Sequence, residues 1–163
     1  KSRGGLYFFI RLPYIKAMQV HIKKLVVGFD TLDDFARHQA REAKTTRYDG
    51  RPAAVIRTRY QPKSAEEILA TGGSAYRVIK GKLCCRQKIL GFEMVGEGRD
   101  KRCRIYLDPE IIETYAAPHR AFQGWRYLKP ADVPPDIGPY QPGRKKDELP
   151  PDMADELRKA GLL

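Results

Sequence analysis

The sequence predicts an α+β fold: a small, bent, mainly antiparallel sheet, or a partly closed β-barrel, with two or three flanking helices. Three observations lead there. Residues 75–107 hold strand patterns with no helix between them, which disfavours a doubly wound parallel sheet. Two segments with helix-start signals precede that region. Glycines sit inside and between the long strand patterns, where a sheet bends.

Each element has its own warrant. Val20 to Val27 is mostly β-branched and apolar, interrupted by Lys23 and Lys24, and reads as a first strand ending at Gly28. Thr31 is an N-cap for a helix over about Leu32–Lys44. Asp33 and Asp34 in its first turn and Arg41 and Lys44 near its end match the helix dipole. Leu32, Phe35 and Ala36 begin its apolar stripe. Asp49-Gly50 and Pro52 mark a turn, and Ala54–Tyr60 alternates as a second strand. Ser64-x-x-Glu67 has the form of a capping box, predicting a short helix from Ala65 to Leu69 or Ala70 that Gly72-Gly73 stops.

The β-rich region follows. Ala75–Lys80 and Leu83–Val95 are separated at Gly81, and Gly91 predicts a bulge or sharp bend. After a turn over Gly96–Asp100, Arg102–Leu107 returns as an antiparallel partner. There Cys103, Ile105 and Leu107 share one face, while Arg102, Arg104 and Tyr106 share the other. Ile111, Ile112 and Tyr115 belong to a helix or a strand; the pattern does not choose between them.

Residues 18–138 read as a single basic α+β domain. Residues 1–17 read as an added or upstream extension, because Met18 immediately precedes the first clean strand pattern. A native strand or interfacial anchor at Leu6–Ile10 is the competing reading. Residues 139–163 read as a Pro-rich tail with a short terminal helix over Asp152–Ala160.

The formal charge is +11. Residues 1–17 carry +4 of it and residues 139–163 none, so +7 belongs to residues 18–138. A basic body attracts polyanions or acidic proteins. Arg57 and Arg59 share one face of their strand, as do Arg86 and Lys88, and Arg102 and Arg104. Lys80 lies at the turn between strands. Like charges in adjacent strands repel, and phosphate supplies a reason to tolerate them. A solvated outer face is the plainer reading.

Several function classes find no support. The three cysteines form no C-x-x-C pair, and His21, His38 and His119 are scattered, so no metal or cofactor is expected. Cys84 and Cys85 are neighbours in a strand and are expected on opposite faces. No apolar run approaches the ~20 residues of a membrane span. Nucleophile-elbow, P-loop, dinucleotide and zinc-protease signatures are missing. The cytoplasm is the expected compartment.

Phe122-Gln123-Gly124-Trp125-Arg126-Tyr127-Leu128 holds the single tryptophan. If extended, it sets Gln123, Trp125 and Tyr127 on one side, Phe122, Gly124 and Arg126 on the other. One reading makes Gln123, Trp125, Arg126 and Tyr127 the lining of a cleft that stacks on a base and reads its edge, with Gly124 allowing close approach of the backbone. The other makes Trp125 a core plug and Arg126 a salt-bridge partner.

Ser74-x-Tyr76-x-Val78-Ile79-Lys80-Gly81, Arg86-Gln87-x-Ile89-Leu90, Leu107-Asp108-Pro109 and the Phe122–Leu128 run together resemble a family of alphaproteobacterial cytoplasmic proteins classed as a domain of unknown function. The resemblance covers about Met18 to Ile137 and implies no activity. In its order of elements the chain is also similar to the PUA-like superfamily with its ASCH and EVE branches, bent β-barrels that bind RNA or modified bases. That likeness implies a fold and no more.

Three functions follow as expectations. The first is a nucleic-acid-binding module, for RNA or a modified or flipped base, without catalysis of its own. The alternative is a protein-interaction or assembly factor whose basic face meets an acidic protein. The third is an enzyme acting on a small anion held by Arg and His.

Overall fold

The computed structural model describes residues 19–143 and 159–161. The extension 1–17 and nearly all of the helix expected over Asp152–Ala160 lie outside them.

The described chain is α+β, with a mixed, mostly antiparallel sheet and two α-helices. Strand β1 (His21–Leu25) leads to helix α1 (Leu32–Glu42), whose first turn is capped by Thr31 Oγ1 accepting from the Asp34 amide at 3.1 Å. A small hairpin, β2 (Arg47–Tyr48) and β3 (Arg51–Pro52), precedes β4 (Ala54–Thr58) and helix α2 (Ala65–Thr71). Next come β5 (Ser74–Ile79), β6 (Lys82–Val95), β7 (Arg102–Leu107), β8 (Ile112–Pro118), β9 (Trp125–Leu128) and β10 (Asp136–Pro139).

The main order is β10-β8-β6-β5-β1-β9. Among the described residues only β1 and β5 pair in parallel. The second half of β6 leaves this path to pair with β7, which pairs in turn with β4. No pairing joins β10, β9 and β4 to one another, so among the described residues the sheet is bent but not a closed barrel.

Both faces of the sheet centre are covered, and all six residues of β5 are buried. Ile22, Ile56, Ile68, Ala75, Ile89, Ile105 and Leu107 form the largest cluster, under α2 and the β4–β7 layer. Phe35 and Ala36 of α1 pack on Val26, Ile79, Cys85 and Ile111. Tyr76, Val78, Leu83 and Leu128 form a third cluster with Phe122 and Val133. Packing continues past residue 138: the Tyr140 amide donates to the Ile111 carbonyl at 2.8 Å, and its hydroxyl bonds Asp33.

Three local expectations need correction. Ser64 makes no side-chain cap; its backbone (φ −88°, ψ 23°) is not the extended form a cap needs, so the capping box does not form. Cys84 and Cys85 do not straddle the sheet, because the register against β5 slips between Arg77 and Val78 and makes Cys84 an extra residue. The undecided stretch around Ile112–Tyr115 is a strand, β8. The bulge expected at Gly91 is present, with the register shift falling between Ile89 and Gly91.

Gly73 joins α2 to β5 at a point of closest approach. A Cβ there would stand 2.0 Å from the Val20 carbonyl oxygen, a backbone atom that cannot rotate away. Gly73→Ala is expected to lower stability by ~1–3 kcal/mol, the usual cost of overpacking. Urea melting tests this, and a change below ~0.5 kcal/mol would mean that the chain before β1 yields freely.

Candidate nucleic-acid interface

The site is built on β9, which pairs only with β1 among the described residues and forms one end of the sheet. The antiparallel register puts Arg126 opposite Lys23 and Trp125 opposite Lys24. Two cations directly opposite each other across a strand pair repel. The loop after β8 is held by the His119 amide donating to the Gly81 carbonyl at 2.9 Å. It brings His119 Nε2 within 2.6 Å of Lys23 Nζ, and the Phe122 ring within 5.4 Å of the same ammonium.

Burial first, and then the Lys23 charge, push the His119 pKa down, partly offset by Asp132. His119 is therefore neutral near pH 7 and accepts from the ammonium through Nε2, which leaves its proton on Nδ1. Lys23, His119, Arg120, Phe122, Arg126 and Tyr127 line a cleft of about 340 Å³ with no carboxylate in its wall. A phosphate-sized anion would meet ammonium and guanidinium donors there with an aromatic ring beside them.

The aromatics of β9 have a second task beside the cleft wall that Tyr127 joins. Trp125 and Tyr127 meet edge to face, with ring centroids 4.9 Å apart. Trp125 is half-buried against the largest core cluster, and its Nε1–H donates to the Tyr60 carbonyl at 3.0 Å. The Ser64 amide donates to Tyr127 Oη at 3.1 Å. Together they clamp the connection between β4 and α2. Tyr60, on that connection, is 67% exposed, with the Arg59 guanidinium 5.6 Å from its ring. Gly124 is a turn residue at φ +69°, with nothing within 4 Å of where a Cβ would stand. Gln123 is exposed beside it.

The remaining sequence-derived candidates lie elsewhere. Arg86 is committed internally: Nε and Nη2 fork onto Asp136 at 2.9 and 2.8 Å, and Nη1 reaches Ser74 Oγ at 2.9 Å. This fork ties β10 to β6 across β8. Arg57 pairs with Glu42 at 3.5 Å and Arg104 with Glu93 at 3.9 Å. Arg102 donates to the carbonyls of Arg99 and Lys101. Lys88 is exposed near Arg86, and Lys80 sits in the β5–β6 turn beside the Gly81 carbonyl that anchors His119. The sequence did not mark Lys23, His119, Arg120 or Phe122 as site residues. Its two signals were the Lys23-Lys24 interruption of the first strand and the alternation that sets Phe122 on one side with Arg126.

Beneath Arg86 lies a buried histidine. His21 Nδ1 accepts from the Ser74 amide at 2.9 Å, and its ring meets Tyr76 edge-on at 5.1 Å. Burial, and then the Arg86 guanidinium, push its pKa down to about 4, against a partial rise from Asp136.

The fold and site define an α+β domain with an open mixed sheet and a cationic, aromatic-walled cleft at one sheet end. The chain matches, over residues 22–163, the family described as protein of unknown function (DUF1489). It belongs to that family. No curated protein and no solved structure matches it. No helix among the described residues is long and apolar enough to cross a membrane.

Tyr127→Phe removes the acceptor of the Ser64 amide and is expected to cost ~0.5–1.5 kcal/mol, with faster hydrogen exchange at Ser64. An unchanged melt and exchange rate would remove the clamp. For His21, the unfolded chain takes a proton near pH 6.5, while the folded protein takes it only near pH 4. The unfolded state thus binds more protons in that window, so stability is full above it and falls as pH drops through it. Urea midpoints at pH ~7.5 and ~4.5 should show the loss, and His21→Gln should reduce it. An equal loss in that variant would assign the acid sensitivity to other groups.

Proposed function

We propose that this domain is a nucleic-acid-binding module that takes single-stranded RNA at the end of the sheet formed by β9. One observation carries the reading. Lys23, Arg120 and Arg126 converge on a carboxylate-free cleft, with two of them opposed across a strand pair, whereas Arg57, Arg86 and Arg104 each have an acidic partner. Unopposed cations beside aromatic rings suit a phosphate flanked by a base. Phosphates would enter the cleft, and Tyr60 on the opposite side of β9 would offer an exposed stacking face. A base read at such an edge is single-stranded or flipped, because a duplex hides its stacking surfaces. A PUA-like relationship belongs to the same proposal: the bent sheet with neighbouring helices is compatible with that architecture, and its members bind RNA or modified bases. The cytoplasm is the compartment that fits this function.

Fluorescence anisotropy with a single-stranded RNA of ~10 nucleotides tests the proposal. Affinity should fall with salt, each phosphate contact contributing ~0.7 to the logarithmic slope. Lys23→Ala with Arg126→Gln should weaken binding about tenfold and reduce that slope by ~1–2. Arg57→Ala with Arg104→Ala should change little. The reverse ranking would move the site to the β4–β7 layer. Tighter binding to a duplex of the same sequence would overturn the single-strand reading. Salt-insensitive binding to an acidic peptide, with no RNA binding, would favour a protein-interaction role.

A further inference from the structure

Neighbouring strand residues ordinarily point to opposite faces. Cys84 and Cys85 depart from this because of the bulge. Arg77 of β5 stands opposite Cys85, and the next residue, Val78, stands opposite Leu83. On the other side Leu83 pairs with Ala117 and Cys85 with Glu113, so β8 carries three residues where β6 carries Cys84 alone. Both thiols therefore join the cluster under α1, Cys85 fully buried and Cys84 half-buried at its margin. Hydrogen bonding between the neighbouring thiols, ahead of burial, holds Cys84 below its ordinary pKa and Cys85 above its own.

A second observation points to the same place. Arg77 is 6% exposed and lies against the Phe35 ring, 5.0 Å from its centroid. Its Nε has no hydrogen-bond partner. A buried guanidinium with an unsatisfied donor favours a negative charge nearby. Arg77 favours the ionised form of both thiols; the Glu113 carboxylate opposite Cys85 opposes it.

We propose that Cys84 and Cys85 form a thiol pair that peroxides oxidise, hydrogen peroxide or an organic hydroperoxide being the co-reactant. The Cys84 thiolate attacks one peroxide oxygen and the O–O bond breaks. The leaving oxygen takes a proton and departs as water or an alcohol, and Cys84 becomes a sulfenic acid. The Cys85 sulfur then attacks the Cys84 sulfur, the S–O bond breaks, and the hydroxyl leaves as water with the Cys85 proton. Two thiols lose two electrons to one peroxide. Adjacent α-carbons are ~3.8 Å apart, below the ~4.4–6.8 Å usual for disulfides. The product is a strained ring that a thiol reductant reopens.

Cys103 serves as an internal reference. It is buried in a different cluster, and burial pushes its pKa up. The test exposes the folded full chain to dilute hydrogen peroxide and follows intact mass, peptide maps and labelling by a sulfenic-acid-specific dione. The expected result is loss of the mass of two hydrogens, mapped to Cys84 and Cys85 and reversed by dithiothreitol. Cys84 should react about tenfold or more faster than Cys103, as thiolate character and access both favour it. Cys85→Ala should stop at a dione-labelled Cys84, and Cys84→Ala should leave Cys85 unreactive on that timescale. The mapping on the unsubstituted chain decides the matter even where a variant fails to fold. Oxidation of Cys103 as fast as Cys84, a sulfenic acid at Cys84 that persists beside an intact Cys85 thiol, or no reaction at either residue would each overturn the proposal.

Discussion

Strand β6 serves three neighbours with one stretch of backbone. Along its first half it bonds to β5 on one side and β8 on the other, and along its second half it bonds to β7. The chain from β7 into β8 follows one edge of it, with the Asp108 amide donating to the Lys88 carbonyl, while β5 lies along the opposite edge, where the Ile89 amide donates to the Gly73 carbonyl. Bulges at residues 83–85 and 89–91 bend the strand. At the second of them, Tyr48 occupies the space that a side chain on Gly91 would need, stacking on Tyr106 with centroids 4.7 Å apart. The division of the interior into separate clusters follows from that bend. So does the need to satisfy polar groups inside: Gln87, fully buried on β6, donates to Gln39 of α1 and to the Asp108 carbonyl.

The same geometry sorts the cations. Arginines on the central strands and the β4–β7 layer are within reach of acids on α1, β6 and β10, and the structure pairs Arg57, Arg86 and Arg104. Exposed pairs of this kind contribute little to stability, but they occupy guanidinium groups that a ligand would otherwise use. At the far end of the sheet no carboxylate lines the cleft. Lys23 turns instead to a neutral imidazole and an aromatic face. Total charge thus says less about an anion site than the location of the cations that have no acid.

Local rules were legible in the residues themselves. Thr31 with Asp33 and Asp34 marked the start of α1, Gly72 marked the end of α2 in a left-handed cap, and Cys103, Ile105 and Leu107 marked the buried face of β7. What failed depended on distant partners. Ser64 has the composition of a cap, but its amide is taken by Tyr127 Oη, 63 residues away. Counting by twos cannot reveal that Cys84 is an extra residue, since that bulge exists only against β5. Alternation along the Phe122–Leu128 run is legible in the sequence, but not that Tyr127 would join Arg126 in the cleft wall while its hydroxyl, with Trp125, forms the clamp. Lys23 gained its meaning only when β9 docked on β1.

That docking also orders events in time. Lys23 and Arg126 are about a hundred residues apart in sequence, and β1 is already paired with β5 through a long crossover. Closing such a loop is entropically costly and slow compared with forming a hairpin such as β5–β6. The cleft therefore comes into being only as the chain completes its longest-range pairing. A nascent or partly folded copy that has made its hairpins still lacks the juxtaposed cations, so the ability to hold an anion at this edge is itself a mark of finished folding.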